Sequence, residues 1–286
     1  MTEISAGMVM KLRKMSGQGM MDCKNALKES GGDLDEAMAI LRKKGLATLA
    51  KRAGRDTTEG KVVSKISEDG KTAAMATLCC ETDFVSKSDD FVAIANLLTD
   101  SCLLCEADDG AENLCGTVIE GKPFTEHLTD TVSKTGEKTE VCDYVRYKLA
   151  GTGLIGSYIH FNDKLGAMVE IETDSDDAAK ACGQVATDIA MHITAINPVS
   201  VDSDSIDPAV IENERAIAAE QMKNKPAEII EKIVNGKMDK FFKDNCLVDQ
   251  PFVKDDSKTV GEALAEGAKA GGGTAKIKRF IRFEIG

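Results

Sequence analysis

Apolar residues recur along this chain first with a helical period and then with a strand-like one, and the change falls near residue 60. Ile4, Met8, Leu12 and Met15 share one face of a predicted helix, which Ser16-Gly17-Gln18-Gly19 stops. A second helix turns Met20, Cys23 and Leu27 inward, leaves Met21 and Lys24 turned away, and ends at Gly31-Gly32. Asp33 caps a third, with Glu36 in the capping-box position and Leu34, Ala37, Met38 and Leu41 inward. Gly45 is expected to close that helix, leaving a basic, Ala-rich tail to Gly54. Residues 1–54 thus predict a compact helical bundle, small enough to be marginal in stability on its own.

After a linker over residues 54–60, Val62–Ser67 and Ala73–Cys79 flank Asp69-Gly70, a strong hairpin signal. A helix then starts near Ser88 with Phe91, Ile94, Ala95 and Leu98 on one face. The same plan returns at a constant offset of 93 residues, where Gly60 meets Gly153, Ile66 meets Ile159, Lys71 meets Lys164 and Met75 meets Met168. Gly153–His160, a Phe161-Asn162-Asp163-Lys164 turn and Ala167–Ile171 form the second hairpin, and a helix through Val185, Ile189 and Met191 follows. Two such units side by side predict an α+β core in which each half covers the other's apolar face.

Asp207-Pro208 opens an inserted helix carrying Val210, Ile211, Ile217, Ala218 and Met222, with a break at Asn224-Lys225-Pro226. A second carries Ile229, Ile230, Ile233, Val234, Met238 and Phe241, so the two form an antiparallel hairpin. The chain returns through Gln250-Pro251-Phe252-Val253, a helix starting at Lys258-Thr259-Val260-Gly261, and a final strand from Arg279 to Ile285. The expected divisions are a bundle (1–54), a first core unit (55–150) and a second (151–286) with its helical hairpin at 207–243.

Composition narrows the function. The 286 residues are 42% hydrophobic and only 4% aromatic, with no Trp, so the cores rest on aliphatic residues and Met. Net charge is −12, which argues against unaided binding to nucleic acid or an anionic membrane and favours a protein partner or small ligand. No stretch approaches the roughly 20 apolar residues of a membrane span. No signal peptide is visible in Met1–Ser5. Nine scattered cysteines, an odd count, fit reduced thiols in a cytoplasmic protein.

Candidate chemistry is sparse. Cys102-Leu103-Leu104-Cys105 has half the spacing of a zinc site but no second pair; the same spacing on an apolar helix is met by burial. Gly271-Gly272-Gly273-Thr274 lacks the ending and the preceding strand of a phosphate loop and reads as a turn. Of the three histidines, His192 lies on a largely apolar helix and reads as packed, whereas His160 at a strand end is open to a partner. None sits in a recognisable nucleophile motif, and no cofactor site is expected.

Thr82-Asp83-Phe84-Val85 is the most informative segment. It sets an aromatic beside a carboxylate where a strand ends, between Glu81 and Ser86-Lys87-Ser88. Phe84 either turns into the core or is held out as an anchor. The matching position in the second copy is Asp177, so the aromatic belongs to one copy only, which favours the anchor. Met20-Met21-Asp22-Cys23-Lys24 offers either a solvated surface or a second, adaptable contact patch.

Taken together, these segments resemble the translation elongation factor Ts family. The resemblance rests on Gly17–Lys24, Glu81–Val85, Gly156–His160, Ile189–Ile193, Lys225-Pro226, Gln250–Val253 and Phe280–Glu284, in that order and with these gaps. It implies a nucleotide exchange factor, without bond chemistry, for the GTPase elongation factor Tu. The N-terminal bundle would resemble a ubiquitin-associated domain, and the Asp83-Phe84 pair would loosen the partner's bound magnesium. Met20, Met21, Lys24, His160 and the segment around Gly136 would be supporting contacts, with Thr82 and Val85 completing the motif. Two departures stand out: Thr135 replaces a frequent Ile, and the chain ends at Gly286, so a C-terminal helix found in many members is not expected. The competing readings are a protein-binding scaffold without exchange activity and a thiol or zinc enzyme built on Cys79, Cys80, Cys102 and Cys105.

Overall fold

The computed structural model describes residues 4–220 and 227–286, with residues 227–230 described by backbone alone. Three helices open the chain: α1 (Ala6–Ser16), α2 (Met20–Glu29) and α3 (Leu34–Arg52). Gly17 ends α1 in the left-handed region at φ 68°, a conformation glycine adopts at little steric cost. The Asp33 carboxylate accepts the amides of Asp35 and Glu36, each at 2.9 Å, and so satisfies two otherwise orphaned donors of α3. Val9, Leu12, Cys23, Ala26, Leu27, Ala37 and Leu41 form the core of this bundle. Met15 and Met20, expected inside, are half exposed. Both flank the Gly17–Gly19 turn. A helical stripe fixes one side of a helix, but burial also needs a neighbour that extends along it.

The first core unit starts with the hairpin of β1 (Glu59–Ile66) and β2 (Thr72–Cys80), paired antiparallel across the Gly70 turn. Next come the short α4 (Asp83–Ser86), α5 (Asp89–Ser101), α6 (Ala111–Gly116), a two-residue ribbon of β3 (Val118–Ile119) with β4 (Lys122–Pro123), and α7 (Phe124–Thr135). β5 (Thr139–Lys148) pairs with the free edge of β2, giving the order β1-β2-β5. In the second unit β6 (Gly153–Ile159) and β7 (Leu165–Thr173) form the matching hairpin, followed by α8 (Asp176–Ala181) and α9 (Gly183–Ile196). The inserted helices are α10 (Pro208–Glu220) and α11 (Ala227–Asn245). The ribbon of β8 (Pro251–Phe252) and β9 (Asp255–Thr259), then α12 (Val260–Ala270), lead to β10 (Ala275–Glu284), which pairs with β7 in the order β6-β7-β10. The fold is α+β, and the second sheet repeats the first.

Each central strand is covered on both faces. Ala74, Ala76, Leu78 and Cys80 of β2 meet Phe91, Ile94, Leu98, Phe124 and Leu128 from the helices. Ala73, Met75 and Cys79 on the other face meet Ile155 and Met168 of the second sheet. β7 sends Ala167, Val169 and Ile171 to a core with Ala186, Ile189, Ile193 and Leu264. The sequence repeat is therefore a packing repeat. A Cβ on Gly60 would strike the Leu78 carbonyl, and one on Gly153 would strike that of Ile171, the residue at the same offset. Ser157 Oγ donates to Ser64 Oγ at 3.0 Å, so equivalent residues of the two copies touch each other, as a local two-fold relation requires. Glu170, fully buried on β7, is held by Arg279 Nε at 2.6 Å and Lys278 Nζ at 3.2 Å.

Gly45 does not end α3. The helix runs on to Arg52, and Gly45 instead lets α3 approach α7 closely: a Cβ there would lie 2.9 Å from the Thr129 carbonyl and against Ser133. Ser133 Oγ donates to the Leu41 carbonyl at 3.2 Å across the same contact. Ile211, Ala218, Val234, Met238 and Phe241 give α10 and α11 a small core of their own, while Val210 and Ile217, expected in the stripe, are exposed. The expected break at Asn224–Pro226 and the position of Met222 lie outside the described residues, as do the side chains of Ile229 and Ile230. Among the described residues no helix is long and apolar enough to cross a membrane.

Overpacking of a close helix contact costs about 1–3 kcal/mol. Gly45→Val is therefore expected to lower the unfolding free energy by that amount, read as a lower urea midpoint at unchanged slope; an unchanged midpoint would show that the α3–α7 contact yields freely.

Candidate partner-binding site

β2 ends at Cys80, and the chain turns at once into the four-residue helix α4. Thr82 caps it: the Val85 amide donates to Thr82 Oγ1 at 3.4 Å, and the Ser86 amide to the Thr82 carbonyl at 3.2 Å. Thr82 is itself gripped by Glu137, whose carboxylate accepts its hydroxyl at 2.9 Å and its amide at 3.1 Å. One short turn cannot bury every side chain. Val85 and Ser86 face the core, and Phe84 points away with 84% of its surface exposed. Leaving a phenyl ring in water forgoes roughly 1.5–3 kcal/mol of burial, so the position is not explained by the stability of the free chain.

The second copy supplies the control. Ser175 caps α8 as Thr82 caps α4, accepting the Ala178 amide at 3.2 Å, and Ala178 is buried as Val85 is. The outward position there is Asp177, which is solvated. The scaffold is shared; the aromatic is not.

Asp83, beside Phe84, pairs with Lys87 Nζ at 2.8 Å, and this contact holds its carboxyl below the usual carboxylate range. It is thus a fixed negative charge at the turn. Gly136, the left-handed cap of α7 at φ 73°, delivers Glu137 to Thr82 and so belongs to the same assembly. Lys134, two residues earlier, pairs with Asp90 at 3.3 Å, and its side chain lies where a Cβ on Gly17 would fall. The turn that precedes Met20 therefore sits next to the end of α7. Met20, Met21 and Lys24 are all exposed on α2, as are Met10 and Met15 on α1.

His160 lies farther along, at the end of β6. Its turn is tied to β1 by Lys61 to Asp163 at 2.7 Å and Lys164 to Glu59 at 2.8 Å. Glu59 in turn pairs with Cys80, two residues before Thr82. His160 Nδ1 lies 3.2 Å from the Tyr158 hydroxyl, and its ring centroid is 4.4 Å from that of Phe161. Phe161 is 88% exposed, the same condition as Phe84, and the sequence reading passes over it. The available signal is an aromatic in the polar turn Phe161-Asn162-Asp163-Lys164.

The remaining candidates resolve structurally. His192 is buried; its Nδ1 accepts the Val253 amide at 3.3 Å, so Nε2 carries the proton donated to Gln250 Oε1 at 2.8 Å, and burial lowers its pKa. α5 ends at Ser101, so Cys102 and Cys105 follow the helix rather than lie on it; both are buried, and burial pushes the Cys102 thiol up to about 12. Gly271–Gly273 form the turn out of α12, and Thr274 Oγ1 donates to the Asp174 carboxylate, a charge that would repel a phosphate.

Two aromatics on anchored turns, Phe84 and Phe161, and the methionines of α2 are thus left exposed. The family model described as "Elongation factor TS" matches residues 81–286. The elongation factor Ts of a Nitratiruptor species is 42% identical over 285 residues, covering 99% of this chain and 93% of the relative. That of Alkalilimnicola ehrlichii is also 42% identical, with 99% and 92% covered, and that of Clostridium kluyveri 41%, with 99% and 93%. The chain belongs to the elongation factor Ts family, and is a translation elongation factor.

Thiolate is the reactive form of cysteine. Cys142 is exposed, and its contact with Cys79 lowers its pKa and so raises its thiolate fraction; the same contact, together with burial, moves Cys79 the other way. Burial also raises Cys115, to about 11, and Cys80, to about 12. A disulfide reagent at pH 8 is expected to show one fast thiol, removed by Cys142→Ser; a fast phase that survives that substitution would contradict this assignment.

Proposed function

We propose that this chain is a guanine nucleotide exchange factor: it binds the GTPase elongation factor Tu in its GDP form, disturbs the magnesium and phosphate site, and speeds GDP release. The observation that carries the reading is Phe84, 84% exposed on a capped turn beside the ionised Asp83, in a member of this family. Exchange needs no acid, base or nucleophile. It needs a surface that binds the nucleotide-free partner more tightly than the loaded one, and linkage then makes factor and nucleotide weaken each other equally. Magnesium is the largest local charge in a nucleotide site. Displacing its supports at a loss of about 4–6 kcal/mol would weaken nucleotide binding by roughly three to four orders of magnitude.

Phe84 suits the part of a wedge and Asp83 that of a polar clamp. Thr82, Val85 and Gly136 hold the turn, while Met20, Met21 and Lys24 on the bundle and His160 with Phe161 on the second unit provide further contacts. Residues 1–54, 55–150 and 151–286 would then meet different parts of the partner. The net charge of −12 supports a protein partner rather than direct contact with nucleic acid or membrane.

Truncating a central aromatic anchor typically costs 2 kcal/mol or more. Release of fluorescent GDP from elongation factor Tu, followed by stopped flow, is expected to accelerate many-fold with the native chain and to lose at least about thirtyfold of that with Phe84→Ala. Binding without acceleration by the native chain would replace the exchange reading with that of a scaffold.

A further inference from the structure

Glu81 joins the N-terminal bundle to the turn that carries Phe84. It lies between the last residue of β2 and the Thr82 cap, and its side chain is only 10% exposed. Arg52 Nη1 donates to both carboxylate oxygens at 2.7 Å. The Lys138 amide donates to Oε1 at 2.7 Å and Arg55 Nη1 to Oε2 at 3.0 Å. Burial by itself would raise this carboxyl's pKa, but the Lys138 amide, Arg52 and Arg55 outweigh it, and Glu81 titrates below its ordinary value.

The geometry of these contacts has a direction. Arg52 is the last residue of α3, which is docked on α7 through Gly45. Lys138 follows α7 and opens onto β5, one residue after the Glu137 that grips Thr82. The turn is thus held from one side by the bundle and from the other by the α7–β5 junction. A mostly buried carboxylate that loses a partner is strongly disfavoured, so the bundle cannot swing away without disturbing Glu81.

We propose that Arg52 and Glu81 are positioning residues for exchange: their ion pair fixes the angle at which Asp83 and Phe84 leave β2, so that bundle and wedge enter the partner as one rigid unit. The proposal rests on the exchange reading above. Neither side chain has to touch the partner. A preorganised wedge spends less of its binding energy on ordering itself, and that energy becomes available for displacing the nucleotide.

The test compares the native chain with Arg52→Met, Arg52→Lys, Phe84→Ala and the Arg52→Met/Phe84→Ala double variant. Maximal GDP release from elongation factor Tu and the factor concentration at half-maximum are measured for each. Amide hydrogen exchange of the free chain over residues 80–88 is measured alongside. Arg52→Met is expected to lower the maximal rate about tenfold, within the range reached along coupling networks, while the half-maximal concentration moves less than about twofold. Arg52→Lys should recover most of the loss, and amide exchange in 80–88 should be faster in both chains that carry Arg52→Met but not in Arg52→Lys. In the Phe84→Ala background Arg52→Met should change nothing further, because there is no wedge left to aim. A maximal rate unchanged by Arg52→Met, or an equal loss with and without Phe84, would overturn the positioning role while leaving exchange intact. No acceleration by the native chain would overturn the exchange reading and this proposal with it.

Discussion

The two central strands, Thr72–Cys80 and Leu165–Thr173, must each be dry on both sides, and the architecture follows from that need. β2 puts Leu78 and Cys80 under the helices and Met75 against Met168 of the other sheet. β7 does the same with Ile171 and Met168. A single hairpin with one helix layer could not satisfy such a strand, because one apolar face would stay in water. Two copies solve it by covering each other, and the Ser64–Ser157 contact marks where the equivalent strands meet. Charge enters this interface only where it is compensated, as with Glu170 between Lys278 and Arg279.

That stacking also determines what the loops can do. The strand ends are fixed by sheet pairing, so a residue placed a few positions beyond an end, on an anchored turn, inherits a defined position. Phe84 and Phe161 both gain from this. Phe84 leaves β2 four residues past Cys80, on a turn capped by Thr82 and gripped by Glu137. Phe161 leaves β6 two residues past Ile159, next to Asp163, whose carbonyl accepts the Val62 amide at 2.6 Å. Exposed aromatics on loose loops would lose entropy on docking; on anchored turns that cost has already been met in folding. The bundle joins the same system through α3, which lies on α7 at Gly45 and reaches Glu81 at Arg52.

The duplication separates stability from function. The caps Thr82 and Ser175, the buried Val85 and Ala178, and the tight glycines Gly60 and Gly153 recur because both copies need them to pack. Phe84 and its counterpart Asp177 differ because neither is needed for packing. Differences between copies at outward positions of an otherwise matched scaffold therefore point to partners.

Hydrophobic period, turn residues and the internal offset are enough to read the three helices, both hairpins, the inserted helix pair and the final strand from sequence. These features are local, or repeat at a fixed spacing, and Thr82-Asp83-Phe84-Val85 is legible for the same reason: it sits at a strand end that the pattern itself marks. Which neighbour covers which surface is a different matter. Gly45 looks like a helix end because glycine ends helices, and only the approach of α7 shows it to be a contact. Met15 and Met20 keep the inward phase of their helices yet stay half exposed because their neighbours cover them only in part. The grip of Arg52, Arg55 and Lys138 on Glu81 joins positions 26 to 57 residues apart, which no local period encodes. The exposure of Phe161 is equally a matter of what packs around its turn. Periodicity and turn chemistry thus specify the elements and the motif, because both act between near neighbours in the chain. Long-range packing selects the side chains those elements leave uncovered and the distant charges that hold the motif in place.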